Sequence, residues 1–409
     1  KKCSEYSEHF LFLPIMSLNI VLFDTPQDWA NLLPLTATRA IADCKIGILA
    51  IKDKWRNLLQ SEPEILTQTY LQAKYKHTSN VGAIYVNAKV LPSSDLLARV
   101  EKLQLNEALV LNEVLVAFRS SEFIQNIQTI SQLKFSKQET IEHLVMINYP
   151  WDIFLNNGNE IKNDIQLLDL KPNPEVLSAT NILIGKEIYV GKNLRCEASV
   201  LNSNDGPIYL DEDCEVMEGC TIRAPFYLGK HSTLKMQAKI YGDTSIGEHC
   251  KIGGEVSNSV IFGYTNKAHD GFLGNSVLAE WCNLGADTNN SNLKNNYGKI
   301  KVWNYLKQDY VNSGLQFSGL IMGDHSKAAI NTQFNTGTVV GVCANVFDAG
   351  FSAKFIPDFS WGRNAEFALE AAYEVAQRVM ERRHLQLSEI DKSILKHIFE
   401  TTMSFRKFI

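Results

Sequence analysis

The sequence predicts an α/β domain followed by a parallel β-helix and a helical tail. Three observations carry this. Short apolar runs alternate with helical segments up to about residue 170. From Leu210 onward an apolar residue returns every six positions. Beyond about Asn364 the composition turns helical. The expected boundaries are an extension over 1–17, an α/β domain over 18–175, the repeat over 182–350 and the tail over 360–409.

In the first half, Leu18 to Phe23 is short and rich in Val, Ile and Phe, which suits a buried strand. The helical DKWRNLLQ follows GILAI, Gly47 to Ile51. A further strand is read over Ala83–Pro92, and the helix behind it opens with capping Ser and Asp residues. ALVLN and VLVAF add more strand. The alternation implies a doubly wound sheet with its ligand cleft at the carboxyl ends of the strands.

The second half is a repeat. Leu210, Val216, Ile222, Leu228, Leu234, Ile240, Ile246 and Ile252 keep one period. The phase appears earlier at Ile184, Val190 and Cys196, and later at Met322, Ala328, Phe334, Val340 and Val346. Gly often follows the apolar residue, and the fourth place after it is small or a thiol. Hexads of this kind form three strands per coil of a parallel β-helix, apolar residues inward. Neighbouring coils need covered ends. The tail supplies a cover: one helix over about 364–383, and a second over about 388–399 opened by Ser388.

Length and composition bound the function. The chain has 409 residues, a formal net charge of -5 and 45% hydrophobic residues. Mild acidity argues against a broad nucleic-acid surface. No run of about 18 apolar residues is present, so no membrane helix is expected. The eight cysteines form no Cys-x-x-Cys pair, which points to reduced thiols in the cytoplasm. Met16 reads as the start, and the residues before it as having no role in the fold.

The period breaks after Ile252. Asn258 stands where an apolar residue is due, and the phase resumes at Ile261, with Leu273 and Ala279 expected in register. The break spans Gly263–Ser276 and contains His269; a second departure, Gly285–Lys301, is crowded with Asn and Lys. Loops that interrupt a regular scaffold are favoured places for chemistry. His231, His249 and His325 occupy the fourth place of their hexads and read as solvent-facing turn residues.

These residues carry a resemblance. The repeat half resembles the left-handed β-helix acyltransferases, and the whole chain looks like the bifunctional N-acetylglucosamine-1-phosphate uridyltransferase / glucosamine-1-phosphate acetyltransferase family. Those enzymes join a Rossmann-like nucleotidyltransferase domain to a left-handed parallel β-helix. Lys267–Asn275 is similar to the family's His-containing segment, Cys282–Thr288 to its Asn-Ile-Gly-Ala-Gly-Thr segment, and Asn295–Lys301 to its later Asn-Tyr segment.

The resemblance implies His269 as catalytic base and acetyl-CoA against Ala286 and Asn331. It implies amino-sugar phosphate contacts from Asn283, Asn296, Tyr297 and Lys299. Phe272 stands where the family has Tyr, and Ser257 or Asn258 where it has a sugar-phosphate Lys, so Lys267, Lys299 or Lys301 would supply that charge. A homotrimer with acetyl-CoA between neighbouring β-helices is also implied.

The N-terminal match departs further. The Gly-rich phosphate loop is replaced by Leu33–Arg39, which leaves Arg39 and Lys45 to meet a nucleoside triphosphate and a sugar phosphate. Ala88 stands where the family has its Mg2+-binding Asp, with Asp24, Asp95, Asp152 and Asp164 as substitutes.

The expected function is acetyl-CoA-dependent acetylation of an amino-sugar phosphate, joined to a nucleotidyltransferase-like domain for which Mg2+ stays open. Two other readings stand beside it. One is a hexose-1-phosphate nucleotidyltransferase with a structural β-helix. The other is a non-catalytic sugar-nucleotide-binding protein.

Overall fold

The computed structural model describes residues 18–78 and 81–406, so the expected 1–17 extension and Met16 lie outside the described residues. The first domain is built on a six-stranded sheet. Its strands are β1 (Ile20–Phe23), β4 (Glu64–Leu66), β5 (Ile84–Asn87), β6 (Glu107–Leu111), β7 (Val114–Arg119) and β8 (Lys137–Thr140), in the order β4-β1-β5-β7-β6-β8. A small hairpin, β2 (Lys45–Ile46) with β3 (Leu49–Ala50), lies outside it. Helices α1 (Pro26–Asn31), α2 (Ile51–Leu59), α3 (Ser94–Val100) and α4 (Pro150–Leu167) complete the domain. β1 is parallel to β4 and β5, and its four residues are all buried, as a strand covered on both faces requires.

The expected doubly wound sheet is mixed, because β7 runs against both β5 and β6. The cause is local. Asn112 and Glu113 both take positive φ, 45° and 69°, and so form a two-residue hairpin turn that reverses the chain.

The repeat folds as a three-sided parallel β-helix. Its faces are a nine-stranded, a ten-stranded and a six-stranded sheet. The eight hexad residues from Leu210 to Ile252 are all at most 2% exposed. They form one continuous apolar core with Met322, Phe334, Val340 and Val346. At roughly 1.5–3 kcal/mol per buried large side chain, this column is what the solenoid is built on.

Two phase assignments shift. Leu183, not Ile184, pairs in register with the inward Leu201, and Leu278, not Ala279, with the inward Ile261. Ala279 is buried instead against the first domain. Both shifts occur where a turn departs from six residues, which moves the inward position by one. Strand pairing also continues past residue 350, to Glu366.

The break is a shortened coil. Ile246 pairs with Ile261 and Ile252 with Lys267, each only 15 residues on, where a regular coil takes 18. The second departure becomes an excursion. Its strands Lys301–Asn304 and Asp309–Asn312 pair antiparallel, with Val302 and Tyr305 in the core of the first domain. Asn304 Nδ2 donates to Asn31 Oδ1 at 3.1 Å.

The first domain lies on the nine-stranded face. Asn157 of α4 is the keystone: Oδ1 accepts from the Gly47 amide at 2.8 Å and the Ser245 hydroxyl at 3.1 Å, and Nδ2 donates to the Asp243 carbonyl at 2.9 Å. A Cβ on Gly158 would come within 1.8 Å of the Asp243 carboxylate, so a larger residue there would push that side chain aside. The tail forms α5 (Leu369–Glu381) and α6 (Glu389–Thr401), the latter capped by Ser388 as expected. Residues 365–366 are strand rather than helix. The helices close on Val342, Cys343 and Phe359 and reach Ala37 and Leu71 of the first domain.

Candidate active sites

The edge between the ten-stranded and six-stranded faces carries the acetyl-transfer candidates. His269 is exposed on the turn that closes the short coil. Asp287 N donates to Asp270 O at 3.1 Å, which sets Ala286 one coil above His269. Asn331 N donates to Ala286 O at 2.8 Å, which sets Asn331 one coil above that. His269, Ala286 and Asn331 therefore line up along one edge. The exposed apolar side chains Met236 and Ile330, 66% and 68% exposed, lie on the same edge below and above them.

Asn283 is exposed on the adjoining ten-stranded face, in register with Asn266. Asn296, Tyr297 and Lys299 are also exposed, at the base of the excursion. Among the described residues no hydrogen bond joins them to His269; Tyr297 O accepts from Gln316 and Lys299 O from Lys294.

Three asparagines hold this edge. Asn289 Oδ1 accepts from the Phe272 amide, Asn290 Oδ1 from the Gly274 amide, and Asn292 Nδ2 donates to Asn275. Asn290 itself occupies the inward place of its coil, in register with Phe334, and the Asn-rich run was the signal of these pins.

Lys267 does not reach solvent. It is 2% exposed, in the inward column between Ile252 and the coil of Leu284. Its amine donates to Gly253 O at 2.9 Å and His269 O at 2.8 Å. Its assignment as a sugar-phosphate ligand is corrected: the register of the short coil turns it inward.

Arg39 is likewise 6% exposed. Its guanidinium grips both oxygens of Asp324, donates to Leu35 O at 3.0 Å and pairs with Glu280 at 3.2 Å. Thr38 donates to the same Asp324 carboxylate. From Leu32 to Cys44 only Leu33, Thr38 and Asp43 are part-exposed. Arg39 thus binds the solenoid, and its assignment to a triphosphate is corrected for that reason. Lys45 keeps an open side. It lines an interdomain cavity of about 830 Å³ with Lys52, Arg56, Lys192, Tyr209 and Lys230.

The carboxyl ends of β1 and β5 are filled. Asp24 is fully buried, accepts from Thr67 and the Ile41 amide, and is pushed up to about 7 by burial. Asp28 is taken by Lys89 at 2.7 Å. Asp95 pairs with Arg99 on the surface, and Asp152 caps α4 through the Asn148 and Tyr149 amides. Asp164 pairs with the buried Lys54 and holds the β2–β3 hairpin. Among the described residues no group of three or more His, Cys, Asp or Glu is placed to hold a metal. These residues do not fit Mg2+: the nearest carboxylates are buried or paired.

An open cavity of about 540 Å³ remains beyond β5, lined by Ser93, Asn112, Glu142, His143 and Asn163 and by no lysine or arginine.

The hexad histidines are not all turn residues in solvent. His231, His249, Tyr264, Trp281 and His325 stack along the edge between the nine- and ten-stranded faces, with ring centroids 4.6, 5.0, 4.2 and 6.1 Å apart. His231 is exposed, but His325 is buried and driven down to about 4 by desolvation.

Residues 20–172 match the sugar nucleotidyl transferase family. A bifunctional sugar-1-phosphate nucleotidylyltransferase/acetyltransferase of Sulfurisphaera tokodaii is 32% identical over 144 residues, 35% of each chain. A bifunctional protein GlmU of Methanococcus aeolicus is 24% identical over 64% of this chain and 61% of its own. The first domain thus matches the sugar nucleotidyl transferases, and longer stretches of the chain are similar to GlmU-type bifunctional proteins. A bifunctional protein GlmU of Synechococcus elongatus matches over 69% of this chain and 53% of its own, at 22% identity. The chain thus spans from about a third to three fifths of these GlmU-like relatives.

Proposed function

We propose that this chain is a cytoplasmic acetyltransferase acting on an amino-sugar phosphate, working as a homotrimer with acetyl-CoA along the His269 edge. One observation carries it: His269, Ala286 and Asn331 stand on one exposed edge, where the shortened coil interrupts the solenoid. The mix of small residues and exposed Met236 and Ile330 suits a long, largely apolar thioester arm.

His269 accepts the proton of the acceptor amine as that amine attacks the thioester carbonyl. An imidazole ring nitrogen both accepts and releases a proton, which suits a general base. The Ala286 backbone amide stabilises the developing oxyanion. Asn283 and the Asn296–Lys299 segment meet the sugar phosphate. Acetyl-CoA, when bound, supplies the activated acetyl group.

A second reading concerns the first domain: it keeps the nucleotidyltransferase fold without the activity. The buried Thr38–Arg39–Asp324 contact and Ala88 favour it. The cation-free 540 Å³ cavity suits a neutral sugar better than a triphosphate.

Parallel assays test both readings. One offers acetyl-CoA with glucosamine 1-phosphate and related amino-sugar phosphates. The other offers nucleoside triphosphates with sugar 1-phosphates. Acetylation in the first is expected; its absence across all acceptors would reject the acetyltransferase.

A further inference from the structure

We propose that Lys267 is a positioning residue, holding the His269 turn from inside the solenoid. The inference rests on the reading of His269 as the proton acceptor.

Several turns of this solenoid satisfy their carbonyls in one way. The small residue four places after the inward one donates to the carbonyl that follows the inward residue of the next coil. Cys220 donates to Lys235 O, Thr288 to Ala329 O, Ser232 to Gly247 O and Ser326 to Gly341 O. At the short coil this device fails twice. Ala238 stands where a donor to Gly253 O is due, and it has none to give. The His269 turn carries Gly271 in the donor place. A Cβ there would come within 2.2 Å of Thr288 O, so no serine or threonine can replace it.

Lys267 makes good the first loss, and Gly285 O, the acceptor left by Gly271, is taken by Thr288. Its column is otherwise apolar: Val216, Leu234, Ile252, Leu284 and Val346. A lysine there costs desolvation, and burial pushes its amine down to about 8. What it returns is two donations, to Gly253 O and to His269 O. The second bond fixes the backbone of the residue whose side chain faces solvent. Gly254 leaves room for this; a Cβ there would stand 2.9 Å from the Lys267 amine.

Lys267→Met and Lys267→Leu test this, since either side chain matches the column. Each is expected to fold, to lower kcat for acetyl transfer at least tenfold with both KM values within twofold, and to speed amide exchange at Ala268–Gly271. Ala238→Ser in the Lys267→Met background restores a donor to Gly253 O alone. It should raise Tm without returning kcat. Recovery of both, or kcat within twofold of wild type in the single variants while His269→Ala is inactive, overturns the proposal. If His269→Ala remains active, the site reading fails instead, and unchanged exchange at Ala268–Gly271 then rejects Lys267 separately.

Discussion

Asp324 of the solenoid grips the Arg39 guanidinium of the first domain through both carboxylate oxygens, and both side chains are almost fully buried. Arg39 is the cation that the sequence offered to a triphosphate, and this contact occupies it. It joins two domains at the cost of one domain's anion-binding group.

Asp324→Ala should therefore destabilise strongly, because it strands a buried guanidinium. About 3–5 kcal/mol is expected in urea unfolding monitored at pH 7. Arg39 holds the Asp324 carboxyl below the usual carboxylate range. Its contribution is thus present above the unfolded carboxylate pKa near 4 and is lost as pH falls through the lower folded value. The Arg39→Met, Asp324→Leu double variant should recover most of the loss.

His325 works in the opposite sense to an ordinary paired histidine. Its folded value is driven down to about 4, so the unfolded chain binds the proton first. Stability should fall as pH drops from about 6.5 to about 4, by an amount on the order of 3 kcal/mol. Asn suits the left-handed backbone at this position, φ 59°. His325→Asn should flatten the profile of Tm against pH in that window; an unchanged slope would locate the acid sensitivity elsewhere.

His269→Ala should lower acetyl transfer by about 10²–10⁴ while leaving Tm within a degree or two. His231→Asn is the matched control, since His231 is exposed at a left-handed turn, φ 58°, and should be silent. Equal rates in the two variants would remove the proposed base.

Pyrophosphate release from any nucleoside triphosphate with a sugar 1-phosphate should stay at background. Ala88→Asp should not rescue it, because Ala88 is fully buried and Thr38 and Arg39 remain bound to Asp324. Robust release from the unaltered chain would restore the nucleotidyltransferase reading.

Light scattering at micromolar concentration should return three times the chain mass of 46.0 kDa. A monomer mass would sink the shared acetyl-CoA edge.

The repeat was legible because one inward residue per six repeats without interruption from Leu210 to Ile252, and burial follows that period. Its break was legible too, since Asn258 cannot fill an apolar slot. The orientation of Lys267 was not. A lysine in a loop-like segment reads as exposed, and only the pairing of Ile252 with Lys267 turns it inward. Arg39 was misread for a different reason: its partner is 285 residues away, and no local pattern announces it. The reversal between β6 and β7 could have been seen in the polar Asn112–Glu113 pair between two apolar runs.

That separation also sets an order of events during synthesis. The loop around Arg39 leaves the ribosome 285 residues before Asp324 does. At about 5–20 residues per second the wait is roughly 15–60 s. Through that interval the nascent domain lacks the carboxylate that seats its loop, and it also lacks the Val302–Tyr305 side chains that complete its core. It cannot mature as an autonomous vectorial unit. A stalled or truncated product ending before the excursion should be a client for chaperones and an early target for proteases, whereas a chain that carries Asp324 and the excursion is not.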